Sequence, residues 1–170
     1  SKINLEIALC LNDLLTLLGH DTQMIRTTDT SVYTEGKTIA AQKVSDLKQR
    51  VKLVNETENA VLISIHQNTY PDGRYIGAQV FFGKDNVSKS FAADLQDSLI
   101  KTLNPHSNRR SKPSDGIYLM QNISRPGILI ECGFISNIQE EAILRSADYQ
   151  IKLACVIGAS FSRNFDADKL

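Results

Sequence analysis

Two almost uninterrupted apolar runs, Ala60–Ile65 (AVLISI) and Gly127–Ile130 (GILI), each end at an ionisable residue, His66 and Glu131. A strand that is apolar on both sides has to be covered on both sides, so these runs belong inside a layered domain. The segments around them carry the matching helical period. Ile7, Leu11, Leu14, Leu15 and Leu18 recur at 3.6-residue spacing and stop at Gly19, where a helix C′ residue would stand. Ala40, Val44, Leu47, Val51 and Val54 predict a long amphipathic helix over Thr38–Glu56. Phe91, Leu95 and Leu99 predict another over Val87–Leu103, and two shorter helices follow at Gln139–Leu144 and Tyr149–Phe161. Asp21–Arg26, Ile76–Phe82 and Ile117–Met120 read as further strands, Asn122–Pro126 as a turn, and Thr27–Lys37 and Pro105–Ser114 as polar loops. Strands alternating with helices place the chain in the α/β class: a three-layer domain with a twisted, mostly parallel sheet and helices on both faces.

The 170 residues suffice for one domain with a real core and not for two. Nineteen Lys and Arg balance nineteen Asp and Glu, so the basic excess of a nucleic-acid-binding protein is missing. No apolar run approaches the roughly 18 residues of a membrane span. Cys10, Cys132 and Cys155 form an odd set without CxxC spacing, which points to neither a disulfide framework nor a thiolate zinc site.

In open α/β sheets ligands sit at the carboxyl ends of the strands, which is where His66 and Glu131 stand. A carboxylate beside an apolar strand is costly unless it is paired, hydrogen-bonded or near a metal. A histidine in the same layer suits zinc, and a nearby carboxylate can act as general base toward a water. A strand-end histidine is more often a hydrogen-bonded structural residue than a ligand, and the pattern alone leaves both open. His20 reads as a surface residue, and His106 as a loop residue that is solvated or touches a ligand. Cys132 with His66 would make a Cys–His hydrolase. Alternation along the strand turns Cys132 away from the side of Glu131, however, which favours a small core residue.

Taken together, the motifs resemble those of the zinc-dependent N-acetylmuramoyl-L-alanine amidases. Ser64–Asn68 (SIHQN) and Gly127–Asn137 (GILIECGFISN) resemble two of that family's signatures. Ile25–Asp29 (IRTTD), Leu47–Asn55 (LKQRVKLVN) and Gly77–Phe82 (GAQVFF) resemble its intervening pieces in the same order. The segment KTIAAQKVSDLKQR is most similar to sporulation-type members, which trim spore-cortex peptidoglycan.

The resemblance implies a peptidoglycan hydrolase that cleaves the amide between N-acetylmuramic acid and L-alanine. His66 would be a zinc ligand, Glu131 the catalytic carboxylate, and Asn68 and Arg110 substrate-binding residues. Arg26 and Arg50 read as structural ion-pair partners, and Arg109, Arg110 and Lys112 as a rim loop. The family's two further zinc ligands, a His in a Gly-rich loop and a Glu ahead of the first helix, align upstream of Ser1. The resemblance therefore implies an N-terminally truncated amidase domain over 1–165 that lacks its first strand, is metal-poor and inactive by itself, and is followed by a polar tail, 166–170. It further implies an extracytoplasmic location in cell wall or spore cortex and leaves room for an activating or regulatory protein partner. A non-catalytic peptidoglycan-binding module of the same fold is the alternative.

Overall fold

The computed structural model describes residues 2–165, so the polar tail expected at 166–170 lies outside the described residues. Ten elements follow in chain order: α1 (Lys2–Leu17), α2 (Ile39–Glu56), β1 (Leu62–Asn68), β2 (Gln79–Phe82), α3 (Asn86–Thr102), β3 (Lys112–Pro113), α4 (Tyr118–Asn122), β4 (Gly127–Phe134), α5 (Ile138–Leu144) and α6 (Ala147–Asn164). The strands form one sheet in the order β1-β4-β2-β3. β1 pairs with β4 and β3 with β2 in parallel, as expected, whereas β2 runs antiparallel to β4. The reversal has a simple cause. Only residues 69–78 join β1 to β2, and a parallel return needs a crossover of about a dozen residues or more, usually a helix.

Alternation along the strands builds two cores. On one side Val80, Ile128 and Ile130 pack with Ile7 and Leu11 of α1, Leu95 and Leu99 of α3, and Leu153 and Ile157 of α6. On the other, Leu62 and Leu129 pack with Val54 of α2 and with Leu119 and Met120 of α4. Helices thus cover both faces, giving the expected three layers. Ile7, Leu95, Leu99, Ile128, Ile130, Leu153 and Ile157 are wholly inaccessible, and burying each such side chain is worth about 1.5–3 kcal/mol.

The helix boundaries follow their caps. Gly19 adopts φ +87°, and the Gly19 N–H to Thr16 and His20 N–H to Leu15 bonds close α1 as a Schellman motif. Thr38, Asp85 and Asn137 accept the first free N–H groups of α2, α3 and α5.

Three local expectations need correction. Asp21–Arg26 forms no strand; its Ile25 packs into the second core instead. Ile117–Met120 is not a strand either, because Tyr118–Asn122 coils into the short helix α4, which buries Leu119 and Met120. A brief apolar run does not distinguish the two by its periodicity. Within the expected loop Pro105–Ser114, Lys112 and Pro113 add a two-residue strand to β2.

Candidate active site

The ends of β1 and β4 bring the two candidate residues together: His66 lies directly opposite Glu131 in the parallel ladder, and Gln79 of β2 lies opposite Glu131 on its other flank. Register partners share a face of the sheet, so His66 and Glu131 belong to the side of Leu62 and Leu129. Glu131 is half-buried, and its Oε2 is enclosed without a hydrogen-bond partner among the described residues. Burial without compensation pushes its carboxyl pKa up to about 7. His66 is exposed at its strand end, yet desolvation, and secondarily the nearby positive charge of Arg50, hold its imidazole below the usual histidine range. His66 is thus accessible at the end of β1 while its charged form is disfavoured. There the ring is neutral at pH 7 and keeps a lone pair for a ligand.

A β-bulge follows directly on this pair. The ladder passes from His66 opposite Glu131 to Asn68 opposite Phe134, so two steps on β1 match three on β4. Cys132 and Gly133 absorb the extra residue on one side. Cys132 is wholly buried in the α1/α3/α6 core, and a Cβ on Gly133 would lie 2.8 Å from the Glu140 carboxyl carbon and 3.1 Å from Leu144. Phe134, as the partner of Asn68, is thereby returned to the side of Glu131. Burial pushes the Cys132 thiol up to about 12, so it carries no thiolate at neutral pH and faces away from His66. The Cys–His reading finds no support in this geometry.

The remaining sequence candidates fall as follows. The Asn68 side chain accepts the Thr69 N–H at 2.8 Å, and its carbonyl accepts the Ile135 N–H, so it shapes the strand-to-loop turn at the end of β1. Arg110 is exposed; its carbonyl accepts the Gln79 amide at 2.8 Å, which sets it beside the row of Glu131. Arg26 pairs with Asp29 at 3.0 Å and Arg50 with Asp46 at 2.5 Å, the ion pairs expected of them. His20 bonds Ser162 across 3.0 Å and stacks edge-on against Phe161, so it ties α1 to α6 instead of standing free at the surface.

Sequence reasoning missed Glu140, which is buried and accepts from Gly77 N–H at 2.6 Å and Phe134 N–H at 2.7 Å. Asn137 followed three residues later by Glu140 has the spacing of a capping box. That signal names the element correctly and the partner wrongly, because the carboxylate reaches out to two other segments.

A zinc site needs about three protein ligands. His66 fits one of them, an accessible neutral imidazole that makes no hydrogen bond among the described residues. The unpartnered Glu131 Oε2 fits a proton acceptor beside it. No group of three His, Cys, Asp or Glu side chains able to hold a metal occurs among the described residues, so the full ligand set is not found there.

Residues 1–162 match the model of the family described as N-acetylmuramoyl-L-alanine amidase. A germination-specific N-acetylmuramoyl-L-alanine amidase of Bacillus subtilis is 41% identical over 165 residues, which cover 96% of this chain and 69% of that protein. The CwlD amidase of Clostridioides difficile, solved in complex with the GerS lipoprotein, superposes with a TM-score of 0.92 at 34% identity, covering 98% of this chain and 86% of that one. The catalytic domain of CwlV, an N-acetylmuramoyl-L-alanine amidase of Bacillus (Paenibacillus) polymyxa var. colistinus, gives 0.76 at 25% identity, covering 97% and 84%.

Proposed function

The chain belongs to the N-acetylmuramoyl-L-alanine amidase family, and from that premise we propose that it hydrolyses the amide joining the lactyl group of N-acetylmuramic acid to L-alanine of the peptidoglycan stem peptide. The observation that carries the mechanism is the enclosed, unpartnered Oε2 of Glu131 in the same cross-strand row as the accessible His66. A carboxyl poised near neutrality serves in both directions of proton transfer. Glu131 accepts a proton from the water that attacks the amide carbonyl. A carbon–oxygen bond forms, the carbon–nitrogen bond breaks, and Glu131 returns the proton to the leaving amine. The products are the lactyl carboxylate and a peptide with a free L-alanine amino group. His66 would hold zinc as one of its ligands; zinc, when bound, supplies Lewis acidity at the carbonyl and at the attacking water. Asn68, at the end of β1, and Arg110, beside the Gln79–Glu131 row, would contact the substrate.

The similarity to a germination-specific amidase supports action on spore-cortex or cell-wall peptidoglycan, outside the cytoplasm. Among the described residues no helix is long and apolar enough to cross a membrane. The relative solved with a lipoprotein bound supports a protein partner that regulates this enzyme too.

The test is hydrolysis of a muramoyl peptide by the zinc-loaded protein. Glu131→Gln keeps the shape and cannot take the proton, so activity should fall by about 100-fold or more. Retention of more than about a tenth of wild-type activity, far above the loss expected of a general base, would remove Glu131 from that role. Substrate binding without cleavage by the wild type would move the assignment to a binding module of the same fold.

A further inference from the structure

The bulge that returns Phe134 to the side of Glu131 also determines where Arg109 sits. The Arg109 guanidinium carbon lies 5.1 Å from the centre of the Phe134 ring, and Nη2 donates to the Ile76 carbonyl at 3.1 Å. Both supports are themselves fixed. Glu140 binds the Phe134 N–H through Oε2 and the Gly77 N–H, next to Ile76, through Oε1. Asn137 holds the Gly73 carbonyl at 2.7 Å and Ser136 accepts the Tyr70 N–H, which ties the whole 69–78 loop to the end of β4. The guanidinium is held by neutral groups above and beside it, and four of its five donors remain.

It also lacks a direct ion pair. Arg26, Arg50, Arg74, Arg145 and Arg163 each pair with a carboxylate, whereas Arg109, like Arg110 and Arg125, makes no ion pair among the described residues; of these three, Arg109 alone has a guanidinium stacked on an aromatic ring there. Glu140 feels its charge, but both Glu140 oxygens are already committed to main-chain N–H groups. A preorganised, half-buried guanidinium with four donors unused and no direct ion-pair partner suits a carboxylate taken in bidentate fashion.

Resting on the amidase reading above, we infer that Arg109 is a specificity-determining residue that binds the free α-carboxylate of the stem-peptide residue following L-alanine. The spacing agrees. Phe134 stands one ladder step beyond Glu131 on the same face, and one such step spans roughly 6–7 Å. From the scissile nitrogen through alanine to the next residue's α-carboxyl carbon, an extended peptide also spans roughly 6–7 Å. A substrate whose amide lies at Glu131 therefore presents that carboxylate at the row where Arg109 is pinned.

The test is a binding titration followed by NMR, with a chelator present so that nothing is turned over. The probes are N-acetylmuramoyl-L-alanyl-D-glutamate and its α-carboxamide, which differ only in the group Arg109 would read. The wild type should prefer the acid by about tenfold, the usual worth of a charge-assisted pair. Arg109→Gln should abolish the preference while leaving carboxamide affinity within about twofold, and Arg109→Lys, which keeps the charge without the fork, should retain part of it. No preference in the wild type, or no binding of either probe, would overturn the inference. So would an equal loss for both probes in the two variants, the mark of a merely structural arginine, or a preference abolished by Arg110→Gln instead. Should Arg109→Gln fail to fold, the Arg109→Lys ratio decides: a ratio equal to the wild type's in that variant and lost in Arg110→Gln overturns the inference. Carboxylate preference in a zinc-loaded protein that cleaves neither probe would sink the catalytic reading and leave this one standing.

Discussion

If burial alone raises the Glu131 carboxyl to about 7, the ionised residue weakens the fold it occupies, and Glu131→Gln should be more stable than the wild type at alkaline pH. The folded-state pKa lies above the ordinary value of 4.5, so the native protein binds this proton more tightly than the unfolded chain does. The neutral carboxyl costs nothing below about pH 4.5 in either state; stability is then lost as pH rises from there through 7. Each pKa unit is worth 1.36 kcal/mol, so full ionisation at pH 8 costs about 3 kcal/mol, an upper bound for a half-buried group. Glutamine has the same shape and no charge. For a domain of this size 1 kcal/mol moves the melting temperature by about 2–4 °C. Glu131→Gln should therefore melt at about the wild-type temperature at pH 4.5–5 and up to roughly 6–12 °C higher at pH 8. The assay is thermal unfolding of both proteins across pH 4.5–8.5 with a chelator present, and only the difference between them is read, because titrations common to both cancel. A difference that does not change with pH, or a variant less stable at pH 8, would refute the claim that Glu131 is desolvated without compensation. Together with lost hydrolysis, the predicted gain would mark Glu131 as a residue retained at a cost in stability.

In the native protein iodoacetamide at pH 8 should label the exposed Cys155 and spare the buried Cys132, as peptide mass spectrometry would show. Cys132→Ser should fold, lose about 1–3 kcal/mol by placing a hydroxyl in an apolar site, and keep hydrolytic activity; a folded variant with normal zinc and no turnover would revive the thiol mechanism. Gly133→Ala should lower the urea midpoint by the equivalent of about 1–3 kcal/mol, because its Cβ meets the Glu140 carboxylate at 2.8–2.9 Å; an unchanged midpoint would mean that the bulge relaxes freely. Metal analysis after dialysis should find well under one zinc per 170-residue chain, and His66→Ala should remove zinc and activity together from any zinc-loaded form. Stoichiometric zinc in this chain would expose missed ligands, with Glu6 and His106 the first to test, and unchanged zinc in the alanine variant would exclude His66.

The layered fold and the facing pair of His66 and Glu131 were readable because both rest on period. Strand alternation turned Cys132 away from Glu131, and 3.6-residue spacing found α1, α2 and α3, with Gly19 closing the first. Where no long periodic stretch exists, as in Asp21–Arg26 and Tyr118–Asn122, tertiary packing decided: Ile25, Leu119 and Met120 serve the second core from a coil and a single helical turn. The same limit hid the outer part of the site. Alternation continued through Gly133 would put Phe134 beside Cys132, and only the extra residue in the ladder returns it to the side of Glu131. Gly133 can be that residue because it has no Cβ to meet Glu140, and Glu140 can reach the Phe134 and Gly77 N–H groups only because that space is open. The bulge, the glycine, the buried carboxylate and the Arg109 stacked on Phe134 are thus one device. Each part is intelligible only from the others, across segments that residue-by-residue periodicity cannot connect. The chemistry proposed for the pair rests on the regular ladder between β1 and β4, whereas the recognition proposed for Arg109 depends on the point where that regularity is broken.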